Sequence, residues 1–249
     1  MDLVKAKQFA ERTLRVIHPL IKKVKQPTKF SSIILGALRR DYLTLYTIAR
    51  LSDADEQDRT AFGDSCVDLT RRVFEDLINI EYIKLKGKEK YSKQFIDFKA
   101  VEAHQDLQYL KALNVKMDPK FVKQTEEEYE KLPKKLRERK RWSGVGIEEM
   151  IQILLDEGVI KEDEFRTLLQ TYIAGNYKNH FSPTGIFNFL HNDLYQFSGK
   201  SDLIVGLVVT SISVTKLAEE LIEEAGVKGK VKDEVNVLWK DWLVAHQVD

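Results

Sequence analysis

Asp202-Leu203-Ile204-Val205-Gly206-Leu207-Val208-Val209-Thr210-Ser211-Ile212-Ser213-Val214-Thr215-Lys216-Leu217-Ala218-Glu219-Glu220-Leu221-Ile222-Glu223-Glu224 is the stretch on which the fold class turns. From Leu203 to Thr215 it runs thirteen residues without a charge, rich in the Val and Ile that also suit a strand. Periodicity alone does not separate a buried strand from a buried helix here. The continuation does: Ala218-Glu219-Glu220-Leu221-Ile222 follows with no turn signal, so the expectation over 202–224 is one helix, apolar all round in its first half and therefore central. Crossing a bilayer takes roughly 20 apolar residues, so the run reads as a core element and no membrane is expected as a partner.

Working outward, period 3.6 dominates. A last helix over about 230–246 carries Leu238 and Trp242, and its two apolar faces, with Trp239, suggest a homodimer. Toward the N-terminus, residues 3–24 place Leu3, Ala6, Ala10, Leu14, Ile17, Ile21 and Val24 on one stripe, broken near Pro19. Residues 32–51 repeat Ile34, Leu38, Leu45, Ile48 and Ala49, with Tyr42 on the same face. A long helix over about 60–86 carries Cys66, Leu69, Val73, Leu77 and Ile80 and stops at Gly87. Residues 89–113 carry Tyr91, Phe95, Phe98, Val101 and Leu110. From Ile147 a short amphipathic helix ends at Gly158, and helices are expected from about 161, with Phe165, Leu168, Leu169, Tyr172 and Ile173 inward, and over 186–197 after Ser182-Pro183-Thr184-Gly185. The fold class is all-α: one domain over residues 1–249, a bundle of about eight helices, with a charged helical excursion at about 114–146.

Composition narrows the function classes. The chain has 249 residues, 40 Lys+Arg against 39 Asp+Glu, and a formal net charge of +1, so nothing global draws it to polyanions. That balance hides a local contrast: the acidic run 126–130 stands beside Lys131 to Arg141, where seven of eleven residues are basic. The single cysteine, Cys66, excludes an intramolecular disulfide framework and a multi-cysteine metal site. Met1-Asp2-Leu3-Val4-Lys5-Ala6-Lys7 lacks an apolar signal core, so a cytoplasmic setting is expected. Phosphate-binding glycine loops, a nucleophile elbow and H-E-x-x-H are absent, and no two of the five histidines are four apart, so neither cofactor nor metal is expected.

Three constellations carry possible chemistry. In the first, Arg71 and Glu75 are four apart, as are Arg72 and Asp76, so each pair can meet across one helical turn. Arg71 and Glu75 fall beside the apolar stripe, either as a partly buried brace or as an arginine held for an anionic ligand such as phosphate. In the second, Tyr172, Asn176 and Asn179 or His180 extend an apolar face into a polar cluster at a helix C-terminal end. That cluster is either a satisfied cap or a site with His180 as general acid/base, positioned by Asn176, Asn179 or Tyr172. In the third, Lys134, Lys135, Arg137, Arg139 and Trp142 belong to a basic stretch that could follow a nucleic-acid backbone and stack a base, although the acidic run beside it favours a solvated, charge-laced helix.

The ordered set Arg71…Glu75, Ile80-Glu81-Tyr82-Ile83, Tyr91…Phe95…Phe98…His104, Trp142-Ser143-Gly144 and Tyr172…Asn176…His180 resembles a family of mostly bacterial helical proteins known as a domain of unknown function, over about residues 30–225. In that family a serine usually stands where this chain has Asn176. The family is similar in turn to HEPN-type helical bundles, which include toxin and antiviral ribonucleases. That likeness implies a defence or stress setting and a helical module that binds RNA, another nucleic acid or a protein. Its ribonuclease version would use His180 as acid/base with Arg71 on an anionic group. The nuclease motif of those bundles, R-x(4–6)-H, is missing; the nearest imitation is Lys99…His104.

Overall fold

The computed structural model describes residues 2–24, 28–161 and 199–246. Among the described residues there are nine helices and no strand: α1 (Leu3–Lys23), α2 (Lys29–Leu51), α3 (Glu56–Lys86), α4 (Lys88–Ala112), α5 (Pro119–Glu130), α6 (Lys134–Arg137), α7 (Ile147–Asp156), α8 (Gly199–Glu224) and α9 (Lys230–His246). The all-α bundle read from the sequence is the observed fold. No helix among the described residues is long and apolar enough to cross a membrane.

The competition between strand and helix over 202–224 resolves as α8, and its place is central. It packs most heavily on α3, then on α2 and α1. Leu203, Leu207, Val214, Leu217, Ala218 and Leu221 are fully buried. Four hydroxyls of this helix are buried too, and two are satisfied locally: Ser211 Oγ donates to the Leu207 carbonyl at 2.6 Å and Thr215 Oγ1 to the Ser211 carbonyl at 2.8 Å. Gly206 lets α8 come close to its neighbours. A Cβ there would lie 3.2 Å from Thr70 Oγ1, 3.5 Å from Cys66 Cβ and 3.6 Å from Ile48 Cγ2.

Helix starts are capped as their sequences suggest. Asp2 accepts from the Lys5 amide, Thr28 from Ser31 and Asp55 from Asp58, which satisfies donors that the first turn leaves free. Between α3 and α4 the only residue is Gly87, at φ +117°, a conformation that side chains with a Cβ resist. The α1 stripe does not break at Pro19; the helix runs on to Lys23. Proline removes one backbone donor in the last turns, and the buried Ile17 and Leu20 on either side hold the helix to the core regardless.

The excursion at 114–146 is less helical than expected. α5 and α6 both pack on α4, but α6 has only four residues, anchored by the buried Leu136 against Phe98 and Val101. After it the chain turns through 138–146, with the Gly144 amide bonded to the Arg141 carbonyl at 3.1 Å, and Trp142 packs against three separate core clusters. The basic residues 131–141 therefore do not form one continuous helical face.

Candidate functional site

Helix α3 carries both halves of the first constellation on its partly buried side. Arg71 Nε donates to Glu75 Oε1 at 2.9 Å, with both side chains partly covered, the geometry that the four-residue spacing predicts. Arg72 and Asp76 do not form the equivalent pair. Asp76 instead receives a two-pronged contact from Arg40 of α2, through Nε at 3.0 Å and through Nη2, while Arg72 Nη2 donates to Thr44 Oγ1 at 2.8 Å. The reason is position: Arg72 and Asp76 lie on the flank of α3 that faces α2, where a partner across the interface replaces the neighbour one turn away.

One turn beyond Glu75, Asn79 does what the sequence reading missed. Its Nδ2 donates to the Glu75 carbonyl at 2.6 Å, and its Oδ1 accepts from Trp142 Nε1 at 2.9 Å. The Trp142 carbonyl accepts in turn from Gln94 Nε2 at 2.5 Å and from Arg139 at 3.3 Å. The indole meets Phe95 and Tyr82 edge-on, with ring centroids 5.2 and 6.1 Å apart. Ser143 closes the turn, its Oγ donating to the Val145 carbonyl at 2.9 Å. So Trp142-Ser143-Gly144 is a docked turn that joins α3, α4 and α7, and Trp142 is a keystone before it is a stacking platform. An asparagine on the i, i+4 and i+8 stripe of Arg71 and Glu75 was the available signal.

These residues surround a cavity of about 310 Å³. It is lined by the apolar Phe98, Trp142, Val145, Ile147 and Met150 and by the polar or charged Arg71, Glu75, Asn79, Glu102, Lys140, Arg141 and Ser143. Thus Arg71, Glu75 and Trp142, chosen from two separate sequence constellations, converge on one cleft.

The other basic candidates are placed differently. Arg137 Nη1 donates to Glu130 Oε2 at 2.7 Å, and its guanidinium lies 5.4 Å above the Tyr129 ring, so it is committed to the α5–α6 junction. Arg139 lies against Gly144 and braces the Trp142 turn. Lys134 is exposed, 3.7 Å from Glu138, and Lys135 is exposed. In the acidic run, Glu126 accepts from Lys111 at 2.7 Å, which holds its carboxyl below the usual range, and Glu130 is taken by Arg137. His104, the nearest imitation of a nuclease histidine, is stacked flat on Tyr129 at 3.8 Å. Tyr172, Asn176, Asn179 and His180 lie outside the described residues, as do the side chains of Trp239 and Trp242. The Cys66 thiol is fully buried, and burial pushes its pKa up to about 12, which removes it as a nucleophile. Among the described residues no group of three or more His, Cys, Asp or Glu could hold a metal ion.

No curated protein and no solved structure matches the chain. A family model does, over residues 31–196, more than half of the sequence and a span that includes Arg71, Glu75, Asn79 and the Trp142 turn. On that match the chain belongs to the family described as "Family of unknown function (DUF5677)".

Proposed function

We propose that this protein is a binding module for single-stranded nucleic acid, RNA in the first instance, and that it seats one nucleotide in the cleft between α3, α4 and the Trp142 turn. The observation that carries the reading is the lining of that cleft: the cations Arg71, Lys140 and Arg141 together with apolar side chains that include Phe98, Trp142 and Met150. Cations suit phosphate, and a base can lie on an aromatic side chain without regard to sequence. Glu75 and Glu102 supply acceptors for the amino groups of a base. A cavity of this size is at the small end of ligand sites, about 300–1,000 Å³, which fits one nucleotide and not a duplex. Most of the charge of the acidic run is met locally, because Glu126 and Glu130 are paired with Lys111 and Arg137 and Glu127 lies 3.8 Å from Lys123.

Fluorescence anisotropy with a labelled single-stranded RNA oligomer tests the reading. Binding should weaken as salt rises, with log affinity falling by roughly 0.7 per log unit of salt for each phosphate contacted. The double variant Lys140→Ala/Arg141→Ala should lose about tenfold, roughly 1.4 kcal/mol, and Lys134→Ala/Lys135→Ala less. Absence of binding at about 50 mM salt, or binding untouched by Lys140→Ala/Arg141→Ala, overturns it. Cleavage of the oligomer that disappears in His180→Ala would replace it with the ribonuclease reading, in which Arg71 holds the anionic group and His180 moves the proton.

A further inference from the structure

Asp41 is fully buried, the one charged side chain so buried among the described residues, and neither of its oxygens has a hydrogen-bond partner. A buried carboxylate without partners costs several kcal/mol, on the order of the penalty for any desolvated ion, and takes up a proton instead. Its surroundings say where that proton goes. Asp76 of α3 is its acidic neighbour across the helix interface, bonded to Arg40, the residue before Asp41, and two ionised carboxylates have no hydrogen to share. Once Asp41 is protonated it donates to Asp76, which remains charged under the two-pronged Arg40 contact.

We propose that Asp41 and Asp76 share a single proton, and that this carboxyl pair is a proton-operated latch that fixes α2 on α3 and, through Asn79, the Trp142 turn. The groups that act on Asp41 are Arg40 on its own helix and Asp76 and Arg72 on α3. The two arginines favour its charged form, while burial and Asp76 oppose it, and the opposing pair prevails. From α1, α8 and α4, the other helices against α2, the fully buried polar groups are hydroxyls: Thr13, Ser92, Thr210, Ser211, Ser213 and Thr215. The latch is accessible from outside, because Arg40 and Asp76 line a cavity of about 350 Å³ between α2, α3 and α4. Asn79 lines that cavity and also the Trp142 cleft, one helical turn beyond Asp76. Ionising Asp41 places a second negative charge beside Asp76, and Arg40 must then redistribute between the two. The strain falls on the α2–α3 contact and on the α3 turn that holds Trp142. The inference stands whether or not the cleft binds nucleic acid.

Carboxyl-detected NMR titration of the full chain, with the Trp142 indole N–H followed in the same samples, tests it. The Asp41 carboxyl should stay protonated at neutral pH, and the Trp142 indole resonance should move at the alkaline step that ionises it. In Asp41→Asn the amide donates to Asp76 at every pH, so the indole resonance should hold still. In Asp76→Asn the like charge is gone, and Asp41 should lose at least roughly tenfold in proton affinity. An Asp41 that titrates with ordinary carboxylates, a proton affinity unchanged in Asp76→Asn, or a Trp142 signal indifferent to Asp41 each overturns the proposal. The wild-type titration decides even where a variant does not fold.

Discussion

Among the described residues Asp41 sets the most direct pH dependence. Burial and the neighbouring Asp76 raise its carboxyl from 3.8 to about 9. Between those values the folded chain holds a proton that the unfolded chain has lost. Stability therefore falls as pH rises through that interval, and the contribution levels off above it. Asp41→Asn should flatten this slope and raise stability at neutral pH by about 1–3 kcal/mol, since the amide makes the same donation to Asp76 without first taking up a proton; urea denaturation from acidic to alkaline pH measures both effects. Trp142→Phe should cost about 1–2 kcal/mol, because it keeps the ring and leaves Asn79 Oδ1 without its donor. The Cys66 thiol should resist thiol reagents in the native state and react only on unfolding. Cys66 was legible, because it stands on the apolar stripe of its helix, whereas the surroundings of Asp41 and Trp142 were not. Asp41 stands in the α2 pattern as one more charged residue; only the packing of α3 over it turns it into a buried acid.

Elements were far more readable than their polar contacts. The apolar stripes of α1, α2, α7 and α8 fall where period 3.6 puts them, because burial acts on many residues together and no single exception shifts a helix. Pro19 illustrates this: a local breaker is overruled by Ile17 and Leu20 in the core. The segment 131–141 shows the converse. With Leu136 as its only buried residue, it has too little apolar surface to hold a long helix, so it shortens to one turn and yields to the docking of Trp142. The Arg71–Glu75 pair was foreseeable since both partners lie on one helix, whereas Arg40–Asp76 joins two helices and depends on how α2 crosses α3. At the α3–α8 contact, Gly206→Leu should destabilise by about 1–3 kcal/mol through overpacking against Thr70 and Cys66, measurable as a lower Tm.

Taken whole, the molecule is organised around α8, with α1, α2 and α3 around it and α4 to α7 building outward from α2 and α3. Native-state hydrogen exchange should accordingly find the slowest amides in α8 and α3 and fast ones in α6, whose single turn has one buried residue. The cleft lies where α3, α4, α7 and the Trp142 turn meet. Chemical-shift mapping of the chain with an unlabelled single-stranded RNA oligomer reads this account at its centre. It predicts perturbations gathered on Asn79, Glu102, Lys140, Arg141 and the Trp142 indole; perturbations confined to the exposed Lys131–Lys135 segment, or none at all, would contradict it.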